Sequence, residues 1–443
     1  MQESERVVKT VKHKQVRHMS LCVLTVIWML LSLPTGAYAD GAGRKAYVAA
    51  ESVELDRSSY TDPSAYASVP AEVSVVRIGL RYADGAVEDA QFINDSGGGF
   101  AFGEYDQERR FHEAGRTETD NILLACVLEK RGWRLQAFSA YDYEPLYVSN
   151  KNPGSIALVP LGEGGLSWFR GELYRGGFEC NVEREYLLDV INCVELEDYV
   201  KGVVPYEMSN NWPYEALRAQ AVCARTYVVY NQNHYEEYRF DLTNDTECQV
   251  YRGVLEANET TDRAVDSTAG EYVRYEGEIC EVYYFASDGG ATEDGANVFG
   301  SDRPYLIGKV DPFEKAVDYS FSSWEEWRTG ENISWLLANK GYSLGTVIRV
   351  VPEYSALGNV IAVALYDDLG GHVRLTGKEA YTTFLLNNCR YRVDVAGKYF
   401  WFQGSGWGHN CGMSQWGARA MASVYGYDYQ DIIRFYFTGA YVA

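Results

Sequence analysis

The chain has 443 residues, 47% of them hydrophobic and 23% charged, a globular profile with room for two or three domains that excludes disorder over most of its length. Asp and Glu outnumber Lys and Arg by 62 to 40, for a net charge of −22. Five positive and two negative side chains fall within the first 39 residues, so the remainder carries −25. That body is unsuited to nucleic acid or anionic lipid and better suited to a neutral or cationic ligand. Aromatic residues make up 14%, with 36 Tyr, and Tyr and Trp suit flat, half-polar ligands such as sugars.

The N-terminus has the three parts of an export signal. Lys9, Lys12, Lys14 and Arg17 form a basic leader, residues 21–33 an apolar run, and Ala37-Tyr38-Ala39 a small-residue cleavage site. The run is shorter than the ~20 residues of a bilayer span. Cleaved signal and uncleaved anchor both place residues 40–443 outside the cytoplasm. Residues 40–72 are polar and read as a linker.

From Val73 the pattern is strand-like. Residues 74–80 are β-rich, 96–99 form a glycine turn, 122–129 a short helix or strand, and 133–137 a strand. These make a small N-terminal α+β module at 73–150, with a boundary at Asn150-Lys151-Asn152-Pro153-Gly154. A second domain runs over 155–443. Residues 168–171 and 187–194 read as strands, and 198–204 as a short helix ended by Pro205. The clearest helix follows. Pro213 sits at its start and Glu215 in its first turn. Leu217, Ala221, Ala224 and Val228 make one apolar stripe, with Arg218 and Arg225 on another face. Residues 270–400 alternate strands and loops, with a tight turn at Asp288-Gly289-Gly290. A further helix spans 414–424 and stops near Gly426, and Asp428 caps the last one. The fold class is α+β, strand-rich, with a few helices lining a cleft.

Nine Cys are present, eight of them beyond the leader, with no C-x-x-C pair. Export permits disulfides, and Cys180 could pair with Cys193 across neighbouring strands.

Chemistry concentrates in a few places. Glu207 lies in Val203-Val204-Pro205-Tyr206-Glu207-Met208, where apolar flanks would raise its pKa and suit a general acid. The competing reading is a carboxylate facing the dipole of the next helix. Arg225, among apolar neighbours, needs a partner: a carboxylate, a substrate oxygen or an interdomain ion pair. Residues 404–415 form a glycine-rich loop opening a helix, so its N–H groups can face a ligand. His409 and Cys411 suggest a thiol dyad or zinc ligands. Residues two apart rarely make a dyad, and zinc needs more ligands, so a loop lining a cleft is the better reading. Cys248 and His234 are likewise too few for a metal.

Three blocks together resemble the sporulation protein D/LytB (SpoIID/LytB) family of bacterial cell-wall proteins. The first runs from Leu196-Glu197-Asp198-Tyr199 through Pro205-Tyr206-Glu207-Met208 to Ala224-Arg225-Thr226-Tyr227. The second is Ser287-Asp288-Gly289-Gly290-Ala291-Thr292-Glu293, with Pro304-Tyr305-Leu306 after it. The third is Gly406-Trp407-Gly408-His409-Asn410-Cys411-Gly412-Met413-Ser414-Gln415-Trp416. Their order and spacing agree over roughly residues 165–440. Asn410 and Cys411 stand where the family usually has Gly-Val.

The resemblance implies a peptidoglycan lytic transglycosylase that cuts glycan strands, stripped of stem peptides, to 1,6-anhydro products during sporulation or wall remodelling. The family's acid falls on Glu207 and an activity-supporting arginine on Arg225. Ser287, Gly289, Gly290, Tyr305, Trp407, His409, Ser414 and Gln415 are the expected substrate contacts. Some members hold zinc through Cys and His; only Cys248 matches here, and neither metal nor other cofactor is expected. Implied partners are glycan strands, a wall amidase and membrane-bound wall-remodelling proteins. A non-catalytic enhancer of a wall amidase is the alternative function, and a cysteine protease on Cys411 and His409 a third.

Overall fold

The β-rich run after Val73 becomes strand Val75–Arg81 in the computed structural model, which describes residues 73–443 except 131, 151–153 and 321, together with 54, 55, 57, 60, 61 and 63. The expected leader and most of the 40–72 linker lie outside the described residues. Among these residues no helix is long and apolar enough to cross a membrane.

Val75–Arg81 pairs antiparallel with Leu187–Glu195 and parallel with Leu242–Thr243. Its sheet has seven strands and continues through Gly177–Arg184, Ser155–Pro160, Phe100–Tyr105 and Phe111–Thr117. A six-stranded sheet runs Glu172–Arg175, Leu166–Phe169, Asp89–Asn94, Asn121–Glu129, Gly132–Ser139 and Pro145–Val148. The two face each other across one core. Phe92 from the second meets Phe178 from the first at 4.6 Å between ring centres.

This corrects the expected domain division. Both sheets contain strands from before and from after residues 151–153, so 73–150 is not a separate module, and the described residues form one compact unit. Strands such as Asp89–Asn94, with every second residue buried, need an opposing layer, and only the strands after 154 complete it. The only helical residues described in 73–150 are the single turn Ala83–Gly85; 122–129 is strand.

Among the described residues the α-helices are α1 (Leu196–Glu207), α2 (Tyr214–Tyr230), α3 (Glu259–Asp266), α4 (Gly295–Phe299), α5 (Gly330–Ala338), α6 (Gly377–Thr383), α7 (Gln415–Ser423) and α8 (Tyr429–Tyr436). Pro205 does not end α1. It lies in the last turn and removes one backbone donor there. Pro213 precedes α2, whose stripe Leu217, Ala221, Ala224 and Val228 is wholly buried. Ser414 caps α7 by accepting from Gly417 N at 3.1 Å, and Asp428 caps α8 by accepting from Asp431 N at 2.8 Å.

Residues 324–404 hold a second, separate core around Ile333, Leu337, Val363, Leu365, Phe384 and Phe402. It is built from two three-stranded sheets with α5 and α6. The expectation of strands and loops alone missed these short helices and α4. The Thr376–Glu379 capping box that opens α6 was visible in the sequence. The module is inserted between the second and third sequence blocks. All eight described cysteines are free. Cys180 lies opposite Val190 and Cys193 opposite Gly177, so the expected cross-strand pair does not face itself.

Candidate active site

Glu207 is the last residue of α1, before Met208 turns the chain to an extended conformation. Its side chain is half-buried. Oε1 accepts from Val250 N at 3.0 Å and Oε2 from Gln415 Nε2 at 3.2 Å, and the Tyr284 hydroxyl also bonds to it. Burial raises its pKa against these three stabilising donors, and no charged group among the described residues contributes to the shift. Gln249 fixes Tyr284: its Nε2 donates to the Tyr284 hydroxyl at 2.9 Å, and its Oε1 accepts from Tyr199 at 3.0 Å. Gln415 Nε2 also reaches Gln220 Oε1 at 3.4 Å. Gln220 is fully buried, and its own Nε2 has no protein partner among the described residues.

The second and third blocks meet beside this carboxyl. Strand Tyr284–Phe285 runs parallel to Met413–Ser414, and Ser287 and Trp407 exchange backbone bonds at 3.0 and 2.8 Å. Glu314 ties the blocks together from beneath. It accepts from Ser287 Oγ at 2.5 Å, Asp288 N at 2.9 Å, Gly289 N at 3.2 Å and Ser414 Oγ at 2.6 Å, and from the Tyr319 hydroxyl. The expected ligand hydroxyls of Ser287 and Ser414 are therefore buried and engaged internally. Gly289 and Gly290 have φ of +66° and +117°, and a Cβ on Gly289 would lie 2.5 Å from Ser405 Oγ.

Asp288, Asp311 and Glu314 are all buried, with carboxylate oxygens within 4.8 Å of one another. Burial and mutual repulsion push Asp288 far above its ordinary range, and its carboxyl bonds to Asp311. Asp311 is raised too and accepts from Tyr436 at 2.6 Å. A proton held between the two satisfies that arrangement.

Other expectations change. Arg225 is fully buried and does not reach Glu207. Its Nε and Nη2 grip Glu197 at 2.8 and 2.7 Å, and its remaining N–H groups donate to the carbonyls of Glu271 and Val265. Ten residues of α1, about 15 Å, separate Glu197 from Glu207. Arg225 holds α1 against α2. Tyr305 is buried against Tyr275 with its hydroxyl accepting from Glu281 N at 2.9 Å, so it offers no face to a sugar. Trp407 is 45% exposed. His409 is enclosed by Tyr283, Phe285 and Phe299. Its Nδ1 accepts from Cys411 N at 3.2 Å, which leaves Nε2 to donate to Tyr284 O at 3.1 Å. Burial lowers its pKa to about 4 and raises the Cys411 thiol, so neither forms a reactive pair. Asn410 takes φ +67°, a conformation Asn tolerates where the family has Gly, and its side chain joins Asn388 to Asp288 O and Ala291 O. Cys411 fills a buried apolar position, as Val would.

Residues 185–275 match the family model described as stage II sporulation protein. An uncharacterized protein of Brachyspira hyodysenteriae is 36% identical over 262 residues, 56% of this chain and 67% of its own length. The chain belongs to the SpoIID/LytB family. Stage II sporulation protein D of Bacillus subtilis is 29% identical over 266 residues, 56% of this chain and 75% of its own. The amidase enhancer of Bacillus subtilis is 28% identical over 295 residues, 54% of this chain but 39% of its own. The SpoIID/LytB match over residues 185–275 takes in α1, Glu207, α2 and Gln249, whereas Tyr284, Glu314 and Gln415 lie beyond it. Sequence reasoning missed Tyr284, Gln249, Gln220 and Glu314. Of these, Gln220 lies inside the first block, whereas Gln249, Tyr284 and Glu314 fall outside all three. Of the Bacillus subtilis relatives, one is named for sporulation and one for enhancing an amidase.

Proposed function

We propose that this protein is a peptidoglycan lytic transglycosylase, acting outside the cytoplasm on glycan strands stripped of stem peptides. The observation that carries the reading is Glu207: one half-buried carboxyl, raised by burial and held by three uncharged donors, with no charged group among the described residues contributing to that shift. Ordinary glycoside hydrolysis uses two carboxylates flanking the bond. A lytic transglycosylase needs one. Glu207 protonates the leaving glycosidic oxygen, and the carboxylate then takes the proton from the substrate's own C6 hydroxyl as that oxygen closes on C1. The product is a 1,6-anhydro sugar and no water is consumed. Val250 N–H, Gln415 and Tyr284 keep the carboxyl aimed in both states. Trp407, 45% exposed, offers a stacking surface to a sugar.

The amidase-enhancer relative supports a second reading, in which this fold binds glycan or a wall amidase without cutting. Mass spectrometry of products from residues 40–443 on glycan strands with and without stem peptides decides between them, with Glu207→Gln as control. Anhydro ends that vanish in the control support the lytic reading. Reducing ends mean hydrolysis. Intact strands with a folded protein favour the enhancer role.

A further inference from the structure

Strand Tyr399–Gly404 of the inserted module leads directly into the Gly406–Trp407 loop of the site. It is the centre of a three-stranded antiparallel sheet between Trp324–Thr329 and Tyr391–Ala396. The register sets Trp327 beside Trp401 and Asp394, Glu325 beside Gln403 and Arg392, and Thr329 beside Tyr399 and Ala396. Side chains alternate along strands, so these three rows share one face. The other face sends Trp324, Phe400, Phe402 and Tyr391 into the second core.

The outward face is aromatic and polar together. Trp327 and Trp401 stack at 4.9 Å with their planes 9° apart, and Tyr399 stands edge-on to Trp327 at 6.2 Å. Trp327 is 45% exposed and Tyr399 40%. Beside them runs a polar ladder. Arg392 Nη2 donates to Gln403 Oε1 at 2.7 Å, and Gln403 Nε2 donates to Asp394 Oδ2 at 3.0 Å.

This face continues to the site. Ser405 N donates to Arg390 O at 3.1 Å, extending the sheet register one pair beyond Gly404. Ser405 therefore points to the same side as Tyr399, Trp401 and Gln403, and its hydroxyl donates to Gly289 O at 3.1 Å. The aromatic face and the Ser287–Gly290 turn lie on one side of the same strand. Trp401 and Trp407 are six residues apart, at most about 20 Å along an extended chain.

We propose that the Trp327–Trp401–Tyr399 face is a second binding platform for a glycan strand, holding sugars beyond those at Glu207. The inference rests on the glycan-strand reading above. Indole faces are negative and attract the C–H face of a pyranose, while the adjoining amide, guanidinium and carboxylate match its hydroxyls. The three rows contain no Leu, Ile, Val or Met, as an apolar protein-docking patch would, and Glu325 and Asp394 oppose an anionic membrane.

The test is binding, measured apart from cleavage. Full-length Glu207→Gln protein is titrated with stem-peptide-free glycan strands and followed by co-sedimentation. Adding Trp327→Ala and Trp401→Ala should weaken binding about tenfold, while the paired Phe variants should stay within about twofold. Thermal melts establish that all variants are folded. Unchanged binding by the Ala pair overturns the platform even if wild-type protein makes anhydro products. Trp-dependent binding without any cleavage by wild-type protein sustains the platform and rejects the lytic reading. A face that loses self-association or amidase binding, but not glycan binding, in the Ala pair is a protein interface, and the proposal fails.

Discussion

Gln415 donates to Glu207 Oε2 at 3.2 Å across 208 positions of the chain, joining the first residue of α7 to the last of α1. That bond stabilises the carboxylate and opposes the effect of burial. Its loss should raise the Glu207 pKa further. If Glu207 is the general acid, activity falls on the alkaline side as it deprotonates. Gln415→Leu should then shift the alkaline limb of the kcat/KM profile upward relative to wild type. A limb that does not move would separate Glu207 from the rate-controlling proton.

Arg225 belongs to stability. Arg225→Leu leaves Glu197 and two carbonyls without their donor; Arg225 is fully buried but Glu197 keeps 33% of its side chain exposed, so the cost falls below the ~3–5 kcal/mol of a pair buried on both sides. Denaturant unfolding should show that loss. Arg225→Lys should recover part of it, because one ammonium cannot make the two-pronged contact. A catalytic role without a structural one would leave the unfolding midpoint in place.

Asp288 and Asp311 give a pH dependence of known sign. Their folded pKa values are raised above 3.8, so the folded protein holds a proton that the unfolded chain releases. The stabilisation is complete below about pH 4 and is lost as pH rises through the folded values. Asp288→Asn keeps a donor toward Asp311 without a titrating proton. Its melting temperature should therefore fall less than wild type between mildly acidic and alkaline pH.

His409 acts in the opposite direction. Burial lowers it from 6.5 to about 4, so the folded protein resists a proton that the unfolded chain accepts. Its contribution is whole above pH 6.5 and declines as pH falls toward 4. Melting curves of wild type and His409→Gln should converge over that interval. Parallel curves would mean that the ring is not buried in neutral form.

Glu207 was legible in the sequence because apolar neighbours and the first block both marked it, and both signals are local. Glu314 was not. Its partners Ser287 and Ser414 come from two loops 27 and 100 positions away, and Asp311-Pro312-Phe313-Glu314 has no feature that announces a clamp. Arg225 was rightly read as needing a partner, but choosing Glu197 requires the packing of α1 on α2. The domain division failed for a related reason. Strand patterns are local, whereas the order Val75–Arg81, Leu187–Glu195, Gly177–Arg184, Ser155–Pro160 is a property of pairing.

The inserted module bears on the order of folding. Gly289 and Ser405 must meet across 116 positions, a costly closure for an open chain. Trp324 and Gly404 are paired at the module's neck, so a module that forms around its own core delivers both ends of the long loop side by side. The site would then assemble last, from segments already neighbours. In refolding, burial of Trp324 should precede the return of activity. A side chain at Gly404 would meet Trp324 at 2.2 Å and open the neck, slowing assembly of the candidate site around Glu207, whose own residues are untouched.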